Sequence, residues 1–201
     1  MKKHGMFICI EGLDASGKTT QSKLLVKNLQ KKGINAVYTT EPSQGKIGRL
    51  IRKHVLLGEN RLSVVLEALL FAADRVDHLE REVMPTLQTE KIVVSDRYLY
   101  SSLAYQGAAG LDLKWIEEIN RWAAKPDLTI YLDIPPEVVL KRLKRKKSLM
   151  ETLQNQQRVR EIYLKLVKAY GLRLVDGNKP KAEVAQEILN VVTGFLSARD
   201  A

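Results

Sequence analysis

Residues 11–20 read EGLDASGKTT, and the fold of the 201-residue chain follows from this stretch. It fits the pattern G-x-x-x-x-G-K-[ST], with the fixed positions taken by Gly12, Gly17, Lys18 and Thr19. The apolar run at residues 7–10 predicts a buried strand before it. Leu24, Leu25 and Leu29 recur at helical spacing after it, up to Gly33, and predict a helix. Strand, loop and helix in this order are the context in which the motif binds phosphate groups.

The chemistry of such a loop explains its residue types. Glycines let the backbone curl so that successive N–H groups point at one centre, and the following helix adds the positive end of its dipole. Lys18 can reach the β- and γ-phosphates, and the Thr19 hydroxyl can ligate Mg²⁺. The alternative is a glycine-rich turn that only links a strand to a helix. Because the whole motif is present in its proper context, we predict a site for a nucleoside triphosphate.

Composition indicates one globular domain. Hydrophobic residues make up 45% of the chain and charged residues 28%, and 201 residues can bury a full core. The sequence has no run of eighteen apolar residues, so we expect no membrane span and no membrane partner. Residues 1–6 lead directly into the first strand and leave no apolar signal region. The single cysteine, Cys9, suits a reducing compartment, so we expect a cytoplasmic protein.

Apolar runs and helical patterns alternate along the rest of the chain. Further strands are predicted at residues 34–40, 92–95, 128–133 and 172–176. Helices are predicted at residues 47–57, 62–87, 99–105, 112–124, 140–146, 151–170 and 181–196, and the long one carries an apolar stripe. This alternation predicts the α/β class, with a five-stranded parallel sheet flanked by helices in a single domain over residues 1–201. Four acidic residues lie at or just past strand ends, where ligands bind in such sheets: Asp14, Glu41, Asp96 and Asp133.

Further motifs follow the loop in a fixed order. They are Glu41-Pro42, FAADR at 71–75, DRY at 96–98, AYQG at 104–107, Pro126-Asp127 and RVREIY at 158–163. Together with the loop, they resemble the thymidylate kinase family over essentially the whole chain. The resemblance implies a P-loop NTPase three-layer sandwich with a short lid, and transfer of the γ-phosphoryl group of ATP to dTMP to give dTDP. It also implies Mg²⁺ as cofactor and a homodimer formed through the long helices.

The same resemblance implies two sets of nucleotide contacts. ATP is expected at Gly12, Asp14, Ala15, Ser16, Gly17, Lys18, Thr19, Thr20, Arg142 and Lys179. dTMP is expected at Asp14, Glu41, Pro42, Phe71, Arg75, Arg97, Ser102 and Tyr105. In family members, the residues matching Tyr105, Ser102 and Asp14 lie near the sugar 2′ position, the thymine edge and the sugar 3′-hydroxyl, respectively.

The spacing of Phe71 and Arg75 has a physical interpretation of its own. Residues four apart lie on one helix face, about 5–6 Å apart at Cβ. Phe71 can then stack on a pyrimidine while the planar fork of Arg75 grips the monophosphate. The alternative places Phe71 in the core and pairs Arg75 with Asp74 or Glu80 on the surface. The accompanying motifs favour the nucleotide role.

Catalysis is predicted to depend on Lys18, Asp96, Arg97 and Arg145. Asp96 follows a buried strand and can hold Mg²⁺ together with Thr19, while Arg97 can neutralise charge on the transferring phosphoryl group. The basic segment at 141–151 is interpreted as the lid. One family subtype carries an arginine in the phosphate loop, where this chain has Ala15, so the lid is expected to supply the cation.

Two features leave alternatives open. Many family members have an arginine where this chain has Thr40, so phosphate contacts there are fewer or come from Arg49 or Arg52. The net charge of +10 suits an enzyme with two polyanionic substrates, but it also suits nucleic-acid binding. The rival functions are a kinase for another nucleoside monophosphate or a deoxynucleoside, and a P-loop nucleic-acid-binding ATPase. Since there is no second domain to form a nucleic-acid track, we expect no nucleic-acid partner.

Overall fold

A computed structural model of the protein describes residues 5–56, 62–143 and 152–200. The strands are β1 (Met6–Gly12), β2 (Ala36–Thr40), β3 (Ile92–Asp96), β4 (Leu128–Asp133) and β5 (Arg173–Asp176). They form one sheet in the order β2-β3-β1-β4-β5, and each neighbouring pair is parallel. The predicted five-stranded parallel sheet is confirmed.

Helices cover both faces of this sheet. They are α1 (Lys18–Lys31), α2 (Lys46–Ile51), α3 (Val64–His78), α4 (Met84–Gln88), α5 (Leu99–Ala108), α6 (Leu113–Ile119), α7 (Pro136–Arg142), α8 (Leu153–Tyr170) and α9 (Lys181–Asp200). Two π-helical turns, Arg52–Leu56 and Leu79–Val83, follow α2 and α3 directly. None of the helices within the described ranges combines the length and apolar character needed to cross a bilayer.

Strand β1 sends its side chains alternately to two cores. Ile8 and Ile10 pack with residues of α1 and α9 on one face of the sheet. Phe7 and Cys9 pack on the opposite face, where Tyr131 of β4 meets residues of α5 and α8. This alternation is the period-two pattern of a strand buried on both sides. The result is the expected sandwich of three layers, with the sheet between two layers of helices.

The strand register brings the predicted site residues to one edge. Asp96, the last residue of β3, lies opposite Ile10 of β1 on one side and Thr40 of β2 on the other. Gly12, where the phosphate loop begins, lies opposite Leu132 near the end of β4. Because the strands are parallel, their carboxyl ends meet there, at the edge where open α/β sheets bind ligands.

The long helix predicted at residues 62–87 is present, but part of its apolar stripe faces solvent instead of the core. It is α3 continued by a π-helical turn and by α4, with Pro85 accommodated in the first turn of α4. An apolar stripe ordinarily faces the core. Here Val65, Leu66 and Leu69 are 45%, 44% and 43% exposed, whereas the buried face of α3 carries Glu67, Asp74, Arg75 and His78. The same predicted stripe faces the core further along, where Leu79 and Val83 of the π-helical turn are buried.

Two shorter helices also end earlier than predicted. Helix α6 ends at Ile119 instead of residue 124, because Asn120 leaves the helical conformation and turns its side chain towards α3. Helix α7 ends at Arg142 instead of residue 146, and Leu143 is extended. Residues 144–151, which make up most of the predicted lid and include Arg145, lie outside the described residues.

Candidate active site

The phosphate loop connects β1 to α1 through backbone conformations that favour glycine. Gly12 has φ 152° and Gly17 has φ 99°, both positive. A Cβ at Gly12 would also lie 2.8 Å from Ser16 Oγ and 2.9 Å from the carbonyl oxygen of Leu132, which is too close for any side chain. Gly12 is therefore required by space and by conformation, and Gly17 by conformation.

Lys18 is a buried cation without a carboxylate in direct contact among the described residues. Only 5% of the residue is exposed, and its ammonium group donates to the carbonyl of Leu13 and lies 3.5 Å from Ser16 Oγ. Burial, and secondly the charge of Arg97, lower the pKa of Lys18 to about 8. A cation in this position favours an incoming polyphosphate, which would restore its preference for the charged form.

A cavity of about 380 Å³ opens at this loop. It brings together the following residues: Asp14, Ala15, Gly17, Lys18, Thr19, Thr20, Asp96, Arg97 and Arg142. All of them were predicted from the sequence as donor-binding, acceptor-binding or catalytic residues. Lys179 was also predicted to contact the donor, but its ammonium group forms an ion pair with Glu187 at 2.9 Å and is not among the residues lining the cavity.

Thr19 and Asp96, the two residues expected to hold a metal ion, contact each other. The Thr19 hydroxyl donates to Oδ2 of Asp96, while Oδ1 of Asp96 is buried without a hydrogen-bond partner among the described residues. An oxygen left free beside a hydroxyl suits Mg²⁺, which prefers oxygen ligands and takes further ones from substrate phosphates. The described part of the chain holds no group of three or more His, Cys, Asp or Glu side chains that could bind a metal by itself.

Arg97 lies directly after β3, in a left-handed conformation with φ 72°. Its guanidinium group donates to Asp14, to Ser101 Oγ at 2.9 Å and to the carbonyl of Gly12 at 3.4 Å. The same group lies 5.1 Å from the ring centre of Tyr105, whose hydroxyl accepts the N–H of Asp14 at 3.0 Å. Asp14, Arg97 and Tyr105 are thus brought together as predicted, and Arg97 joins the loop to α5.

Arg75 is buried on the inner face of α3. It forms an ion pair with Glu41 at 2.8 Å and donates to Ser102 Oγ at 3.1 Å and to Oδ1 of Asn120. The surface ion pair with Asp74 or Glu80, the alternative considered above, is therefore wrong. Asp74 instead accepts two hydrogen bonds of 2.6 Å from the N–H and hydroxyl of Ser43.

The remaining residues considered for the acceptor lie on α3 or near the end of β2. Phe71 is half-buried on α3, one turn before Arg75, and Pro42 is buried after a cis peptide bond. The Thr40 hydroxyl donates to the carbonyl of Asp96 at 3.1 Å. Of the two arginines considered as substitutes at this position, Arg52 donates to the carbonyls of Pro42 and Ser43, while Arg49 donates to the carbonyl of Gln44.

Four buried polar residues at the site were not singled out from the sequence: Glu11, His78, Gln106 and Asn120. The His78 ring lies 2.7 Å from Thr39 Oγ1 and 3.1 Å from Glu41 Oε1, so it supports the partner of Arg75. The sequence pattern could have identified two of these four residues. Glu11 is a carboxylate in an otherwise apolar strand, and Gln106 lies four residues after Ser102 on one helix face. No sequence pattern indicated a role for Asn120, since its contact with Arg75 joins distant parts of the chain.

Fold and site together define the class of the protein: it is a P-loop kinase. A family model described as thymidylate kinase matches residues 10–188. The chain is 44% identical to a "Probable thymidylate kinase" from Thermococcus onnurineus, over 96% of this chain and 100% of that protein. Proteins with the same name from Thermococcus gammatolerans (43%; 94% and 96% covered) and Methanocaldococcus jannaschii (41%; 95% and 95%) are similar. The chain belongs to the thymidylate kinase family.

Proposed function

We propose that the protein transfers the γ-phosphoryl group of ATP to dTMP, giving dTDP, with Mg²⁺ as cofactor. The observation that carries this proposal is the position of Arg97. Its guanidinium group contacts the carbonyl of Gly12 in the phosphate loop and also Ser101 and Tyr105 of α5, beside the acceptor residues. A cation between the phosphate loop and α5 supports transfer from a donor bound at the loop to an acceptor bound beside α5.

The chemistry is mainly positioning and charge neutralisation. Lys18 and the loop amides hold the donor phosphates, and Arg97 neutralises charge on the transferring group. Thr19 and Asp96 would hold Mg²⁺, whose charge offsets that of the phosphates. Arg145 of the lid is proposed as a further cation, and closure of the lid would exclude water that otherwise hydrolyses ATP.

The acceptor side suggests how the base is chosen. Nε of Arg75 and Oε1 of Gln106 are buried without hydrogen-bond partners among the described residues. Ser102, which accepts a hydrogen bond from Arg75, shares a helix face with Gln106, so we infer that this unpaired donor and this unpaired acceptor both belong to the acceptor side. Thymine offers the complementary pair, O4 and N3–H, whereas cytosine reverses it. Since Glu41 already neutralises Arg75, we assign Arg75 to the base edge and the acceptor phosphate to Arg97, in place of the monophosphate contact that the sequence analysis expects of Arg75.

The test is a coupled assay of ADP release from MgATP with dTMP, UMP, CMP, AMP and thymidine. We expect the highest kcat/KM for dTMP. A preference for thymidine would indicate a nucleoside kinase, and ADP release that requires single-stranded DNA would indicate an ATPase; either contradicts the proposal. Gln106→Leu should lower kcat/KM for dTMP about tenfold, the effect of one lost hydrogen bond. Gln186→Leu, an exposed glutamine of α9, is the matched control.

We further propose that the enzyme is a cytoplasmic homodimer without nucleic-acid or membrane partners. The exposed apolar stripe of α3 supports the dimer, because a row of large aliphatic side chains in water favours association. A second copy of the chain is the proposed partner of this stripe. The lone buried cysteine is in keeping with a reducing compartment.

A further inference from the structure

Glu11 is a buried carboxylate for which the proposed mechanism has no use. It is the residue before Gly12 in β1 and is fully inaccessible to solvent. Its two oxygens accept hydrogen bonds from the N–H groups of Tyr98 (2.9 Å) and Ser101 (3.2 Å), from the Ser101 hydroxyl (2.6 Å) and from the Tyr163 hydroxyl (3.0 Å). A buried carboxylate is costly unless it is well paired, so its position calls for a reason.

Two of these bonds fix the start of α5. Tyr98 is the N-cap residue of the helix, and Ser101 lies in its first turn. The N–H of Tyr98 would otherwise lack a partner, because the first amides of a helix have no carbonyl to bind within it. The N–H of Ser101 is shared between Glu11 and the carbonyl of Tyr98, which is also at 3.2 Å. The carboxylate therefore holds the helix end in place and complements its dipole. Arg97 is the residue immediately before this N-cap, so the anchor also fixes the backbone that carries the guanidinium group.

The third bond orients a hydroxyl. Ser101 has one hydroxyl hydrogen, and at 2.6 Å from Glu11 Oε2 that hydrogen is committed to the carboxylate. The lone pairs of the same oxygen are then free to accept from NH1 of Arg97, at 2.9 Å. A neutral amide at position 11 could instead donate to this oxygen and compete with Arg97. The carboxylate thus keeps Ser101 an acceptor for the guanidinium group.

We propose that Glu11 is a positioning residue for Arg97, acting through Ser101 and the first turn of α5. It aims the guanidinium group over the phosphate loop without touching either nucleotide. This inference depends on the role of Arg97 given under the proposed function.

The first test is Glu11→Gln, which keeps size and shape. We expect kcat to fall tenfold to a hundredfold, roughly the effect of misplacing a catalytic group by about 1 Å, while the KM for ATP changes less than about threefold. Some loss of thermal stability is expected as well, because the new amide places a donor against the hydroxyls of Ser101 and Tyr163, so kcat is measured well below the melting temperature. Ser101→Ala removes the intermediary without altering the carboxylate and should lower kcat in the same way. Tyr163→Phe removes a donor to Glu11 whose hydroxyl also lies 3.0 Å from Ser101 Oγ, but it leaves the carboxylate, the Ser101 hydroxyl and Arg97 in place, so it should retain kcat within about threefold.

A double-mutant cycle separates positioning from general damage. In an Arg97→Ala background, Glu11→Gln should lower kcat less than about twofold further, because the group it positions is absent. A full additional loss in that background, or equal losses in Glu11→Gln and Tyr163→Phe, would overturn the inference. Failure of the proposed function has a different signature: the unaltered enzyme releases no ADP with dTMP, or Arg97→Ala keeps its full kcat.

Discussion

The protonation state of Lys18 links burial to catalysis. Burial, with a contribution from Arg97, lowers the pKa of Lys18 in the free enzyme to about 8. ATP binds best to the charged form, so kcat/KM for ATP should fall as pH rises through about 8. The value of kcat should stay constant to a higher pH, because bound phosphates raise the pKa of the lysine in the complex. A pH titration of both parameters checks this, and identical profiles would contradict it.

The same shift predicts how stability depends on pH. In the unfolded chain, the pKa of Lys18 lies near 10.5, so between pH 8 and 10.5 the unfolded state binds more protons than the folded one. Stability from this residue therefore rises with pH across that window, by about 3 kcal/mol in total. The difference in urea unfolding free energy between the unaltered chain and Lys18→Met isolates the contribution. A difference that does not vary between pH 7 and 10 would show that Lys18 is not shifted.

At the residue scale, local motifs were predictable and distant partners were not. Lys18, Thr19 and Asp96 came from the sequence, because a loop motif and a strand end fix them within a few residues. The environment of Arg75 could not be predicted from the sequence, since Glu41, Ser102 and Asn120 come from three separate parts of the chain. Their contacts arise from the packing of α3 against α5, against the end of α6 and against the segment after β2, for which no local pattern exists.

At the scale of elements, α3 shows what periodicity can and cannot predict. The spacing of Val65, Leu66 and Leu69 correctly indicated a helix with one apolar face. The pattern does not say which face meets the core, and here the polar face does. That orientation is stable because buried Arg75 and Asp74 each have partners, which meets the requirement for burying polar groups. A helix with an apolar outer face and a polar inner face suits a wall of a substrate site.

Asp74 should therefore be a main attachment of α3 to the loop after β2. Its carboxylate accepts both the N–H and the hydroxyl of Ser43, and it is 1% exposed. Asp74→Asn places an amide donor against these donors, so we expect unfolding free energy to fall by about 2–3 kcal/mol. Urea denaturation measures this. Glu118→Gln, which alters an exposed pair with Arg121, serves as control and should leave the midpoint unchanged. Equal midpoints for both variants would rule out the attachment.

At the scale of the whole molecule, the alternation of strands and helices predicted the class, the strand number and the parallel sheet. It did not predict the order β2-β3-β1-β4-β5, because an apolar run carries no record of which strand lies beside it. The position of the site was nevertheless predictable. In a parallel sheet the carboxyl ends of all strands lie along one edge, so the acidic residues at strand ends had to lie on that edge. Which of them meet depends on the strand order: Asp14 and Asp96, from the neighbouring β1 and β3, line the cavity, whereas Asp133 of β4 pairs with Arg160.

Dimer formation through α3 is the prediction that belongs to this scale. We expect the purified protein to sediment as a dimer at micromolar concentration. Leu66→Arg places a charge in the centre of the apolar stripe, and a loss of 2 kcal/mol or more there would raise the dimer Kd by about thirtyfold or more. Trp122→Arg, at an equally apolar but separate position that is 73% exposed, is the control and should remain dimeric.

Sedimentation velocity across a dilution series distinguishes the outcomes. A monomeric unaltered protein would contradict the dimer, and a Leu66→Arg protein that stays dimeric would place the interface elsewhere. The variant also tests whether the two faces of α3 are coupled. Arg75 lies on the inner face, so a monomer with a loosened helix should show a raised KM for dTMP and an unchanged KM for ATP. That pattern follows because the acceptor residues Phe71 and Arg75 lie on this helix, whereas the phosphate loop lies between β1 and α1.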